Sequence, residues 1–93
     1  MNFYHLVKIE RPDLLVRVHK VVIKARDWDI RGRIYISYQG INAQFSGPTE
    51  QALAYTEWVA AQPAFLGLQW RSYAVPQSVF PRLKCKYVPL SSP

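Results

Sequence analysis

The stretch from Arg33 to Ser46 alternates strictly. Ile34, Ile36 and Tyr38 fall on one side and Arg33, Tyr35 and Ser37 on the other. After Gln39 and Gly40 the pattern resumes, with Ile41, Ala43 and Phe45 set against Asn42, Gln44 and Ser46. Side chains of a strand point to opposite faces with a period of two, so two such runs joined by a glycine-containing turn predict a half-buried β-hairpin. Every other element must fit around that hairpin.

Upstream, "NFYHLVKI" (residues 2–9) is aromatic and β-branched and reads as a strand. Pro12 suits the first turn of a helix, and Asp13 puts negative charge where a helix N-terminus favours it. Leu14, Leu15, Val18, Val21, Val22 and Ala25 then recur at helical spacing, leaving Arg17, Lys20 and Lys24 on the opposite side. The polar stretch "RDWDIRG" closes this helix. Downstream of the hairpin, Gly47 is expected as N-cap and Pro48 as first residue of a second helix that runs to about Ala61. Its buried side is expected to hold Ala52, Thr56, Val59 and Ala60, with Tyr55 and Trp58 at the flanks. A fourth strand is predicted over residues 68–75 and a short edge strand within "FPRLKCKYVPL", between Pro81 and Pro89.

The resulting order, β-α-β-β-α-β with one added C-terminal edge strand, predicts an α+β, ferredoxin-like sandwich with both helices on one face of an antiparallel sheet. Residues 1–90 are expected to form one domain, with 91–93 a tail or the start of a linker. At 93 residues there is material for one core and not for two.

Twelve Lys and Arg against six Asp and Glu give a formal charge of +6, a field that attracts polyanions such as RNA. The lone Cys85 excludes an internal disulfide and fits a reducing compartment. No apolar run is long enough to span a bilayer, so an intracellular chain without a membrane partner is expected. No spacing prescribes an oligomeric state.

Gly40 and Gly47 match neither G-x-x-x-x-G-K-[ST] nor G-x-G-x-x-G, so they read as a turn glycine and a cap glycine. His5 falls on the first strand, His19 on the polar side or boundary of the first helix, and Cys85 in the last strand. None shows metal-ligand spacing, and neither metal nor cofactor is expected. Lys84 and Lys86 flank Cys85 and favour a thiolate, but the phase shared with Leu83 and Tyr87 makes Cys85 a packed apolar residue. No catalytic residue is assigned.

If the apolar residues of each strand face the helices, the open face carries Arg33, Tyr35, Ser37, Asn42, Gln44, Arg71 and Tyr73, with Lys8 or His5 set by the register of the first strand. Aromatic rings among guanidinium and amide groups suit single-stranded RNA. The same composition also suits a solvated sheet face or one covered by a neighbouring domain. The RNA contacts expected are Arg33, Tyr35, Asn42, Arg71, Arg82, Lys84 and Lys86, the last three on a basic edge.

Gly32 to Pro63 resembles acylphosphatase, but the first strand runs into "KIERPDLL", without that family's glycine-containing phosphate loop. Arg11 therefore has no such role, and Asn42 alone is not a site. "NFY", "RGRIYISYQGINAQFSGPTEQALAYTEWV", the P-x-F of Pro63 to Phe65 and "FPRLKCKYVPL" together resemble the acylphosphatase-like N-terminal domain of the rhodanese-related tRNA uridine hydroxylases, in the plant and algal form. The corresponding family segments read G-R-I, G-I-N, S-G and F-x-[RK]-L-K in the same order. The resemblance implies a noncatalytic accessory domain that binds or positions tRNA for wobble-uridine hydroxylation. The family's essential cysteine lies in a C-terminal rhodanese domain, and Cys85 stands outside that active-site loop. It also implies a rhodanese partner domain in the full-length chain and makes the plastid stroma an expected location. The alternative is a docking module that packs on a rhodanese domain or larger assembly without touching RNA.

Overall fold

The computed structural model describes residues 1–71 and 81–89. The elements follow in the order β1 (Asn2–Leu6), α1 (Pro12–Ala25), β2 (Arg31–Ser37), β3 (Gly40–Ser46), α2 (Thr49–Ala60), a 3-10 turn (Pro63–Phe65), β4 (Trp70–Arg71) and β5 (Leu83–Tyr87). The strands lie in the order β4-β1-β3-β2-β5. β3 is inserted antiparallel between β1 and β2, and β1 is antiparallel to β4, which is the split βαβ arrangement of a ferredoxin-like fold. The added strand β5 pairs parallel to β2, so the sheet is mixed and not purely antiparallel.

The hairpin forms where the alternation predicts it. Ile34, Ile36, Ile41, Ala43 and Phe45 are buried, and Tyr38 and Gln39 make the turn. Tyr38 is exposed there instead of continuing the apolar side. β2 starts two residues early, at Arg31, which brings Gly32 into the strand opposite Phe45. Gly40 is the first residue of β3, at φ +149°, and a Cβ there would overlap the His5 carbonyl of β1. It serves close strand approach as well as the turn. Beyond Leu6 the chain leaves the ladder but stays docked: Val7 and Ile9 donate backbone N–H bonds of 3.1 and 2.9 Å to the carbonyls of Gln39 and Tyr38.

The buried stripe of α1 differs from the expected one. Pro12, Val16, His19 and Ile23 face the sheet, while Leu14, Val18 and Val21 are exposed. Aliphatic residues occur all around this helix, so their spacing alone admits more than one buried face, and the sheet selects the one that includes His19. Past the C-cap Arg26, Asp27 takes a left-handed conformation at φ 54°. Trp28 N–H bonds the Ile23 carbonyl and Asp27 N–H that of Lys24, both at 3.1 Å, the paired bonds of a Schellman ending.

In α2 the N-cap is Pro48, one residue later than expected. Gly47 instead allows a close approach: a Cβ on it would lie 2.6 Å from the Asp29 carbonyl oxygen. Ala52, Thr56 and Val59 are buried as expected, but Tyr55 is the centre of the core and not a flank. Its ring meets those of Phe3, Phe45, His19, Trp28 and Trp58, with centroids 5.1 to 6.2 Å away. Ile30, in the polar stretch between α1 and β2, completes this core with Ile9, Phe65 and Leu68. Of the predicted fourth strand, Trp70 and Arg71 are in β4; residues 72–75, with Ser72 and Tyr73, lie outside the described residues.

Candidate nucleic-acid interface

Among the described residues, the helices cover one side of the sheet and leave the other open. Register assembles the open side into rows. Asn2 on β1 is opposite Gln44 on β3, Gln44 is opposite Arg33 on β2, and Arg33 neighbours Lys84 on β5. In the next row Tyr4 is opposite Asn42, Asn42 is opposite Tyr35, and Tyr35 neighbours Lys86. Arg33, Asn42, Gln44, Lys84 and Lys86 are exposed and Tyr35 is half-buried. Five of the expected contact residues, Arg33, Tyr35, Asn42, Lys84 and Lys86, thus share one surface. Arg82 precedes β5 and is exposed, its carbonyl accepting a 2.9 Å bond from Gly32 N–H. The backbone of Arg71 pairs with Asn2 at the opposite end of the first row.

Three residues differ from the expected placement. Ser37 is buried, and its hydroxyl accepts a 3.1 Å bond from Gln39 N–H, so it holds the hairpin turn. His5 points to the helix side, with its ring 5.9 Å from that of Phe65, and Lys8 lies beyond the strand. The outward residues of β1 are Asn2, Tyr4 and Leu6. Sequence reasoning passed over the first two, although Phe3 as an inward residue places both outside by strand parity.

The electrostatics of this surface are one-sided. None of the five strands contains Asp or Glu; the acidic residues are Glu10, Asp13, Asp27, Asp29, Glu50 and Glu57, all in loops and helices. Arg33 and Lys84, like charges in adjacent register positions on one face, repel each other, and no carboxylate is bonded to either among the described residues. Lys86 lies over Tyr35, Nζ 5.5 Å from the ring centroid. Arg31 is engaged by Asp29 at 3.0 Å.

The remaining reactive groups are held away from solvent. Cys85 is buried on the helix side, and burial pushes its thiol up to about 11, so it stays protonated at neutral pH. His19, expected at a polar boundary, is fully buried. Its Nδ1 is 3.0 Å from the Leu15 carbonyl, and desolvation lowers its pKa to about 4. Arg11 forks onto Asp13 through two bonds of 3.2 Å at the start of α1 and holds that carboxylate below its ordinary range. Among the described residues, no group of three His, Cys, Asp or Glu side chains converges as metal ligands would. No helix among them is long and apolar enough to cross a membrane.

Comparison with known families decides the lineage. The UPF0176 acylphosphatase-like domain matches residues 1–89. The chain belongs to that family. Among its relatives, the tRNA uridine(34) hydroxylase of Chlamydia caviae is 38% identical over 87 residues, covering 94% of this chain and 26% of the relative. The chloroplastic rhodanese-like domain-containing protein 8 of Arabidopsis thaliana is 43% identical over 90 residues, 96% of this chain and 20% of the relative. The tRNA uridine(34) hydroxylase of Protochlamydia amoebophila is 41% identical over 87 residues, 94% of this chain and 27% of the relative. The chain therefore spans only 20–27% of the length of these relatives.

Proposed function

We propose that this UPF0176 domain binds and positions tRNA for a rhodanese-containing, family-length protein that hydroxylates the wobble uridine, and that it supplies no catalytic residue itself. The observation that carries this reading is the adjacency of Arg33 and Lys84, with Lys86 beside them, on a sheet face without a strand carboxylate. Such a cluster costs the free protein repulsion that a phosphate backbone relieves. The buried, protonated Cys85 thiol leaves the chemistry to another part of a longer chain. In this reading residues 1–90 are the positioning unit, and 91–93 are a tail or the start of a linker. The chloroplastic relative favours a plastid location for a mature protein of this form.

Titration of tRNA into the 93-residue chain at two salt concentrations tests this. Binding should weaken as salt rises, and Arg33→Ala and Lys84→Ala should each weaken it and reduce the salt slope by about one. Absence of binding at low salt, or salt-dependent binding indifferent to both substitutions, removes the proposal.

A second role, docking onto the rhodanese part of a longer chain, is favoured by α1 and not by the open sheet face. Leu14, Val18 and Val21 are 46%, 37% and 60% exposed, beside a groove of about 440 Å³ that Ile9, Leu15 and Phe65 help to line. This side suits an apolar protein neighbour and leaves the basic face free. Val18→Glu should abolish co-purification of a separately expressed rhodanese domain without altering tRNA affinity.

A further inference from the structure

The described side chains of the open face change in chemistry from one edge to the other. β2 and β5 carry Arg33, Lys84 and Lys86, whereas β3, β1 and β4 form a depression of about 480 Å³ in whose lining no charged side chain stands among the described residues. The depression is lined by Asn2 and Tyr4 of β1, Asn42 and Gln44 of β3, and Gln69 before β4, together with Phe3 and Trp70. The Phe3 ring is packed in the core against Phe45 and Tyr55, so Phe3 contributes backbone to the floor. Four carboxamides and one phenol ring thus converge on one space. None of these carboxamides has a side-chain hydrogen-bond partner among the described residues.

We propose that this depression seats a single unpaired nucleobase, an assignment that rests on the RNA-binding reading and adds to it a division of labour across the sheet. Each carboxamide offers both a donor and an acceptor, as a base edge does, and four of them around one space can match an edge that is not already paired. Tyr4, 52% exposed, presents a ring on which a base can stack. Gln44 and Arg33 are register partners on neighbouring strands, about 4.8 Å apart. A strand whose phosphates follow Arg33, Lys84 and Lys86 therefore brings a base directly to the carboxamides. Phosphate contacts alone accept duplex and single strand alike; the carboxamide-lined depression selects RNA whose bases are free.

The test compares three labelled ligands on the 93-residue chain by fluorescence anisotropy at low salt: a short single-stranded oligoribonucleotide, an abasic strand of equal length, and the oligoribonucleotide annealed to its complement. The intact single strand should bind about tenfold more tightly than the abasic strand and the duplex. Tyr4→Ala and Gln44→Ala should erase that difference while leaving abasic-strand affinity unchanged. In the unsubstituted chain, the side-chain NH₂ resonances of Asn2, Asn42, Gln44 and Gln69 should move with the intact strand and stay in place with the abasic one, a readout independent of variant folding. Equal affinity for intact and abasic strands, still lowered by Lys84→Ala, overturns the base seat and leaves the phosphate track standing. No binding of any of the three overturns both. Resonances moved by an added rhodanese domain and not by the oligonucleotide make the depression a protein interface and overturn it as well.

Discussion

The Lys86 ammonium lies 5.5 Å from the centroid of the Tyr35 ring, its register neighbour across the parallel β2–β5 pairing. The contact exists because β5 runs parallel to β2 and places even-numbered residues of one strand beside odd-numbered residues of the other on the open face. A cation over an aromatic ring on a solvent-facing sheet contributes about 0.5–1 kcal/mol. A double-mutant cycle with Lys86→Met and Tyr35→Leu should return a coupling energy of that size in urea denaturation. Additive effects would show that the two side chains do not hold each other.

His19 should make the fold acid-sensitive above the range of the carboxylates. Its pKa falls from an ordinary 6.5 to about 4 because burial disfavours the imidazolium. The unfolded chain therefore binds a proton that the folded chain refuses, and stability must fall as pH drops from 6.5 toward 4. The expected loss is about 2 kcal/mol by pH 5. Urea denaturation at pH 7 and pH 5 measures it, and His19→Leu should flatten the dependence over that interval.

Gly40 and Gly67 both have positive φ, at +149° and +87°, but only Gly40 has backbone in the space a Cβ would occupy. Gly40→Ala should cost strain plus displacement of β1 at the His5 carbonyl, at least about 2 kcal/mol. At Gly67 nothing lies within 4 Å, so Gly67→Ala should cost about 1–2 kcal/mol from the backbone alone. Denaturation midpoints of the two variants decide the order.

Asp27 occupies the left-handed position of the Schellman ending of α1. Glycine meets no steric penalty there, so Asp27→Gly should raise stability by up to about 1 kcal/mol. Asp27→Val should lower it, since a β-branched residue is still less suited to that conformation. Thermal melts of the pair provide the check.

The hairpin, the helix starts near Pro12 and Pro48, and the βαββαβ order follow from the sequence by itself. Period-two alternation, proline and glycine are local constraints, and each acts through a few neighbouring residues. The charge of the open face was legible for the same reason: Arg33, Tyr35 and Asn42 lie in phase on a strongly patterned hairpin. Tertiary structure decided what local pattern leaves degenerate. α1 carries aliphatic residues around its circumference, so only packing against the sheet selects Val16, His19 and Ile23 over Leu14, Val18 and Val21. Tyr55 and His19 are amphipathic side chains whose burial depends on which rings surround them. The parallel course of β5 and the meeting of Asn2, Tyr4, Asn42, Gln44 and Gln69 arise from strand pairing between segments distant in the chain, and it is that long-range register, absent from any local window, that gathers the carboxamides around one depression and sets Lys84 and Lys86 beside Arg33 and Tyr35.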